Sequence, residues 1–145
     1  MSWISEKLCD KIRLTANNRC GYCQSSQHLI PIPFEIDHIL PTSKGGTDVE
    51  ENLWLSCSVC NSFKHAKTYA PDPQTKTEIS IFNPRSQVWS EHFEFIENNS
   101  EIRGTTPHGR ATVIALKLNN SRAVKMRKLW VSVGWFPPPN ELEMK

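Results

Sequence analysis

Two CxxC pairs, Cys20/Cys23 and Cys57/Cys60, bracket an adjacent Asp37-His38, and Asn61 directly follows the last cysteine. Each group carries a chemistry of its own. A CxxC turn presents two sulfurs from one knuckle, and two knuckles complete the tetrahedron of ligands that zinc prefers, at about 2.3 Å per Zn–S bond. With all four positions filled by protein, such a site is structural and leaves no place for a reactive water. The 33 residues between Cys23 and Cys57 exceed the spacing of an isolated zinc ribbon, so they read as a structured excursion pinned at both ends by one ion. The bland alternatives are buried cysteines or a redox pair; two matched pairs favour zinc. Cys9, left over, reads as a small buried hydrophobe.

Asp37, His38 and Asn61 are the residue types that phosphodiester hydrolysis needs. A histidine deprotonates water near neutral pH, and oxygen ligands hold a hard divalent cation that stabilises charge on the departing oxygen. Neighbouring strand residues point to opposite faces. Asp37 and His38 are therefore expected to share a site through a turn at Ile39-Leu40-Pro41.

The elements that must position these groups follow from local patterning. Residues 3–18 read as a helix with Ile4, Leu8, Ile12 and Leu14 on one face. Pro31 and Pro33 delay strand pairing to about Phe34, after which Phe34 and Ile36 alternate with Glu35 and Asp37. Residues 41–51, with Pro41, Gly45-Gly46 and Asp48, form a loop. NLWLS reads as a second strand, and a short helix is expected from Asn61. Pro71 and Pro73 mark a linker. Beyond it come a strand around Trp89–Ile96, a turn at Asn98-Asn99-Ser100, a return strand at 102–105, and a helix capped by Thr106 with Pro107 in its first turn. A last helix is expected from Arg122 to about Val131, with Ala123, Met126 and Trp130 inward.

Across residues 20–67 the chain resembles the HNH endonucleases. The pattern is Glu35-Ile-Asp37-His38-Ile-Leu-Pro41, then Ser43-Lys-Gly45-Gly46, Glu51-Asn52, and Cys57-x-x-Cys60-Asn61-x-x-Lys64. The resemblance implies an α+β fold built on a zinc-stapled ββα-metal module: strand, omega-like loop, strand, helix. It implies that His38 is the general base and that Asp37 and Asn61 hold the catalytic Mg2+ or Mn2+. Asn52 would brace the loop near the histidine. Cys20, Cys23, Cys57 and Cys60 would hold one structural Zn2+. Asn61 stands where the family's last histidine stands, making an HNN variant and favouring a hard ion. His65 sits four residues on and is either a further ligand or a solvated side chain. Lys44, Lys64 and Lys67 are candidate phosphate contacts, or equally solvated surface.

The whole 145 residues are 38% hydrophobic and 22% charged, an ordinary globular composition, with no stretch long enough to span a membrane. The opening MSWISEKLCDKIRL has acids and no continuous apolar core, so no secretory signal is read there and a cytoplasmic location is expected. Net charge is only +2, yet residues 103–128 hold seven Lys/Arg and no acid. Such a block fits a polyanion partner; a solvated helix face is the competing reading. Arg122 and Lys125 are expected on the outer face of the last helix, and Trp130, Trp135 and Phe136 in packing.

The expected organisation is residues 1–70 as an N-terminal helix plus nuclease module (core 20–67), with 71–145 a packed extension of β-hairpin and basic helices. The expected function is a metal-dependent endonuclease that nicks or cuts DNA, with RNA left open, in phage defence, a mobile element or a larger nuclease complex with a partner protein. The alternative is a non-catalytic zinc module that binds nucleic acid or protein.

Overall fold

The computed structural model describes residues 4–139. Trp3, where the first predicted helix begins, and the end of the chain from residue 140 lie outside the described residues.

Helix α1 (Glu6–Thr15) begins where Ser5 accepts a hydrogen bond from the Leu8 amide, with Glu6 in its first turn and Arg13 in its last, both favourable to the helix dipole. It buries Ile12 and lays Leu8 on the core, while Leu14, expected on the same face, is 79% exposed. Ile12 precedes Leu14 by only two positions, about 200° around the helix. Asn17 and Asn18 adopt positive φ, as asparagine tolerates, and turn the chain into the first cysteine knuckle.

Strands β1 (Glu35–His38) and β2 (Leu53–Ser56) form an antiparallel pair, with Glu35 opposite Ser56 and His38 opposite Leu53. Helix α2 (Ser58–Lys64) follows at once. It starts one turn earlier than the sequence suggested, because the Cys57 thiol accepts from the Cys60 amide and serves as the N-cap. The order β1, loop, β2, α2 is that of the expected module.

The presumed linker is structure. Strands β3 (Tyr69–Pro71) and β4 (Glu78–Ser80) pair as a hairpin whose turn is organised by Asp72, so the 70/71 boundary falls inside β3. The fully buried Asp72 carboxylate accepts from the Gln74 amide, the Thr75 hydroxyl and, at 2.9 Å twice, the Arg110 guanidinium. Arg110 lies on α3 (Pro107–Ala115), which Thr106 caps by accepting from the Gly109 amide. Strands β5 (Phe93–Ile96) and β6 (Glu101–Gly104) form the expected aromatic hairpin. Helix α4 (Ser121–Ser132), capped by Asn120, closes the described chain. The class is mixed α+β, with small antiparallel pairs and four helices among the described residues.

One apolar cluster joins Ile12, Leu53 and Leu55 of the module to Phe82, Phe93, Ile102 and Leu116 of the following half. Trp89 stacks on Phe93 and donates its indole N–H to the Tyr22 carbonyl at 2.8 Å, which ties hairpin to knuckle. Each fully buried aliphatic or aromatic side chain contributes about 1.5–3 kcal/mol. Trp130 and Phe136 pack together, but Trp135 is 61% exposed and Met126 also faces outward, contrary to expectation. On α4 the buried residues are Trp130, as expected, and Arg127.

Candidate functional site

The first knuckle is shaped by Gly21. A Cβ there would lie 2.4 Å from Trp54 and 2.8 Å from Pro84, so only glycine lets the Gly21 amide reach the Leu55 carbonyl on β2. The second knuckle is the turn into α2. Together they bring the Sγ atoms of Cys20, Cys23, Cys57 and Cys60, all buried, within 4.8 Å of one another, with Cys23 and Cys57 3.8 Å apart. A tetrahedron with zinc–sulfur bonds of about 2.3 Å has edges of about 3.8 Å, so the donor set fits zinc. The thiols perturb one another. Hydrogen bonds with Cys20, then Cys57 and Cys60, pull Cys23 well below the ordinary thiol value, while hydrogen bonding to Cys20 and Cys23 pushes Cys57 and Cys60 up. A cation held by all four would remove that conflict. Arg127 is packed nearby; burial lowers its pKa, and the thiol charges oppose that. It donates to the Ser100 and Leu118 carbonyls, and its Nε has no partner.

Asp37 and His38 leave β1 on opposite faces, because both are still paired with β2. The turn expected to bring them together comes only afterwards, at Ile39, whose amide donates to the Asn52 carbonyl. Asp37, 5% exposed, accepts from the Tyr22 hydroxyl at 2.8 Å on Oδ2 and from Lys64 Nζ at 3.2 Å on Oδ1. Burial raises its pKa, with Lys64 and Tyr22 pulling the other way. Burial and the Asp37 charge push the Tyr22 phenol well above its ordinary value, so it stays protonated and donates.

Lys64 corrects an expectation. It is 2% exposed, and besides Asp37 it donates to the His38 and Ile39 carbonyls, so it is no phosphate contact. Asn61, one turn before it on α2, meets Glu35 rather than Asp37, its amide donating to the exposed Glu35 carboxylate. Glu35 and Asp37 share one face of β1 by the two-residue period. His65 leaves the helix at φ 49°, ψ −120° as the C-cap, and so does not share a helix face with Asn61.

On the other face of β1, His38 Nε2 lies 2.7 Å from Asp48 Oδ1. Asp48 comes from the loop, which Asn52 clamps: its amide oxygen accepts from the Leu40 N–H, and its amide nitrogen donates to the Leu40 and Thr47 carbonyls. Gly46 permits that clamp, since a Cβ there would sit 1.7 Å from the Leu40 oxygen.

Lys44 and Lys67 are exposed beside each other's segments, Lys44 reaching toward the Thr68 hydroxyl. Lys117, Arg122, Lys125 and Lys128 are exposed. The rest of the basic block is not free: Arg103 pairs with Glu94, Arg110 with Asp72, and Arg127 is buried. A cavity of about 720 Å³ lies between α2 and α4 and includes Val59, Phe63, Met126 and Trp130 but none of the His38 or Asp37 constellation.

Sequence reasoning missed Tyr22, Glu35, Asp48 and Arg127. Tyr22 lies inside the CxxC pair, and Glu35 stands two residues before Asp37, so spacing offered a signal for both. For Asp48 the local pattern signals only a loop.

Residues 20–67, 48 of the 145, match the family model described as HNH endonuclease. The chain matches no curated protein and no solved structure. Among the described residues, no helix is long and apolar enough to cross a membrane.

Proposed function

We propose that this chain, on the premise of its HNH endonuclease segment, is a nuclease that hydrolyses DNA phosphodiester bonds with His38 as the general base. The observation that carries the reading is the pairing of His38 with Asp48 on a loop clamped by Asn52. With Nε2–H donated to Asp48, Nδ1 keeps its lone pair and takes the proton from water, and the Asp48 carboxylate stabilises the imidazolium that forms. Asp37 and Glu35 on one face of β1, with Asn61 beside Glu35, offer the oxygen ligands that a hard cation, Mg2+ or Mn2+, takes. When bound, that cation supplies positive charge to the phosphate and the leaving oxygen. Lys64 and Tyr22 favour the ionised form of Asp37 against the cost of its burial, and orient it. Cys20, Cys23, Cys57 and Cys60 would hold the structural zinc that fixes both ends of the module. Exposed Lys44, Lys67, Arg122 and Lys125 meet phosphates along the strand.

The test is a supercoiled plasmid incubated with zinc-loaded protein and Mg2+, beside an EDTA-treated sample and His38→Ala. Wild type should nick or linearise the plasmid and the other two should not. A plasmid left intact but shifted on a gel would make the chain a binding module, and an active His38→Ala would remove His38 as the base.

A further inference from the structure

We propose that Tyr22, inside the first cysteine knuckle, is a positioning residue for Asp37, so that the zinc staple and the metal-facing carboxylate form one mechanical unit. This rests on the nuclease reading above. The backbone of Tyr22 is held between two zinc ligands, Cys20 and Cys23, and by its carbonyl, which accepts from the Trp89 indole at 2.8 Å. Its ring is 0% exposed, and its hydroxyl ends 2.8 Å from Asp37 Oδ2. Gly21 sets the knuckle close enough to β2 for its amide to reach the Leu55 carbonyl, and from there the Tyr22 hydroxyl reaches Asp37 on β1.

A buried tyrosine needs one acceptor, and a backbone carbonyl would serve. Here the acceptor is the carboxylate that an endonuclease of this pattern turns toward its cation. The opposite oxygen is fixed by Lys64, itself anchored on two β1-end carbonyls. Two donors therefore set the plane of the carboxyl group. They occupy two of its roughly four lone-pair sites and leave the others for a cation. Without the hydroxyl, Lys64 alone restrains the last torsion of Asp37, which is broad for an sp³–sp² bond.

The experiment compares zinc-loaded Tyr22→Phe with wild type. Zinc content by metal analysis should remain one per chain. The Mn2+ dissociation constant, from the electron paramagnetic resonance of free Mn2+, should rise about tenfold, the scale of one hydrogen bond to a charged group. Nicking should need correspondingly more Mg2+ for half-saturation, with the maximal rate within about threefold of wild type. Unchanged or tighter Mn2+ binding in a zinc-retaining variant overturns the positioning role while leaving a cutting wild type, and hence the nuclease reading, intact. A wild type that neither binds Mn2+ nor cuts overturns both. Because Tyr22→Phe can fail to fold, a second arm keeps the hydroxyl. The one other tyrosine, exposed Tyr69, is changed to Phe, and 3-fluorotyrosine is incorporated at position 22. Its fluorine resonance should shift when Mg2+ is added at constant zinc; a resonance that does not move overturns the proposal.

Discussion

Replacing Lys64 by methionine should be far more costly than its place on a short surface helix would suggest. Lys64 Nζ lies 3.2 Å from Asp37 Oδ1, with exposures of 2% and 5% for the two side chains, so the change strands a carboxylate in the interior. Breaking one side of such a pair typically costs about 3–5 kcal/mol. Proton uptake by Asp37 sets the ceiling. Neutralising an aspartate of ordinary pKa about 3.9 costs about 4 kcal/mol at pH 7 and about 1.5 kcal/mol at pH 5. The loss should therefore be about 3–4 kcal/mol at pH 7, or a melting point about 6–16 °C lower for a chain of this size. It should shrink to about 1.5 kcal/mol at pH 5. The direction follows from linkage: burial already raises the folded-state pKa of Asp37, and removing the cation raises it further. Between the unfolded value and that raised value the folded state binds more protons, so stability falls as pH rises. Urea unfolding of the zinc-loaded protein, followed by tryptophan fluorescence at both pH values, measures this. Asp37→Leu added to Lys64→Met should restore most of the lost stability without restoring cleavage. A Lys64→Met cost below about 1 kcal/mol at pH 7, or one that does not change with pH, would refute the buried-pair argument.

Two further outcomes follow from the same geometry. Wild type should hold one tightly bound zinc per chain by metal analysis, and Cys57→Ser should lose that zinc while its hydroxyl still caps α2, so the loss reports the metal site and not the cap. Arg122→Glu with Lys125→Glu should weaken DNA binding and lower the slope of log K against log salt by about two for each phosphate contact pair lost, without changing zinc content; an unchanged slope would show that α4 does not touch phosphate.

Much of the module was legible because it is local. A CxxC knuckle, a capped helix start such as Thr106-Pro107 and a Gly45-Gly46 loop each write their geometry into a few consecutive residues, and the structure has them there. The hairpin of β5 and β6 was legible from alternation and a turn. The helix that carries Asn61 was misplaced by a turn, because a cysteine N-cap is not among the usual capping residues. Lys64 reads from sequence as a phosphate contact or solvated surface, because lysine is almost never fully buried unless paired, and its pair, Asp37, lies 27 positions away. The stretch 103–128 holds seven cations and no acid, but the acids that neutralise Arg103 and Arg110, Glu94 and Asp72, lie outside it in the chain.

The sequence by itself determined the chemistry on offer: four thiols in two knuckles, a histidine at a strand end, and oxygen donors at fixed spacing from it. Residue type and short-range spacing specify those, because they depend on bonds and turns within a few residues. Only the tertiary structure decided which groups meet. It joins Asp48 to His38, Glu35 to Asn61, and Tyr22 with Lys64 to Asp37. Chain return brings those partners together, and for buried Asp37 desolvation makes partners obligatory, while no local pattern records which partner that is.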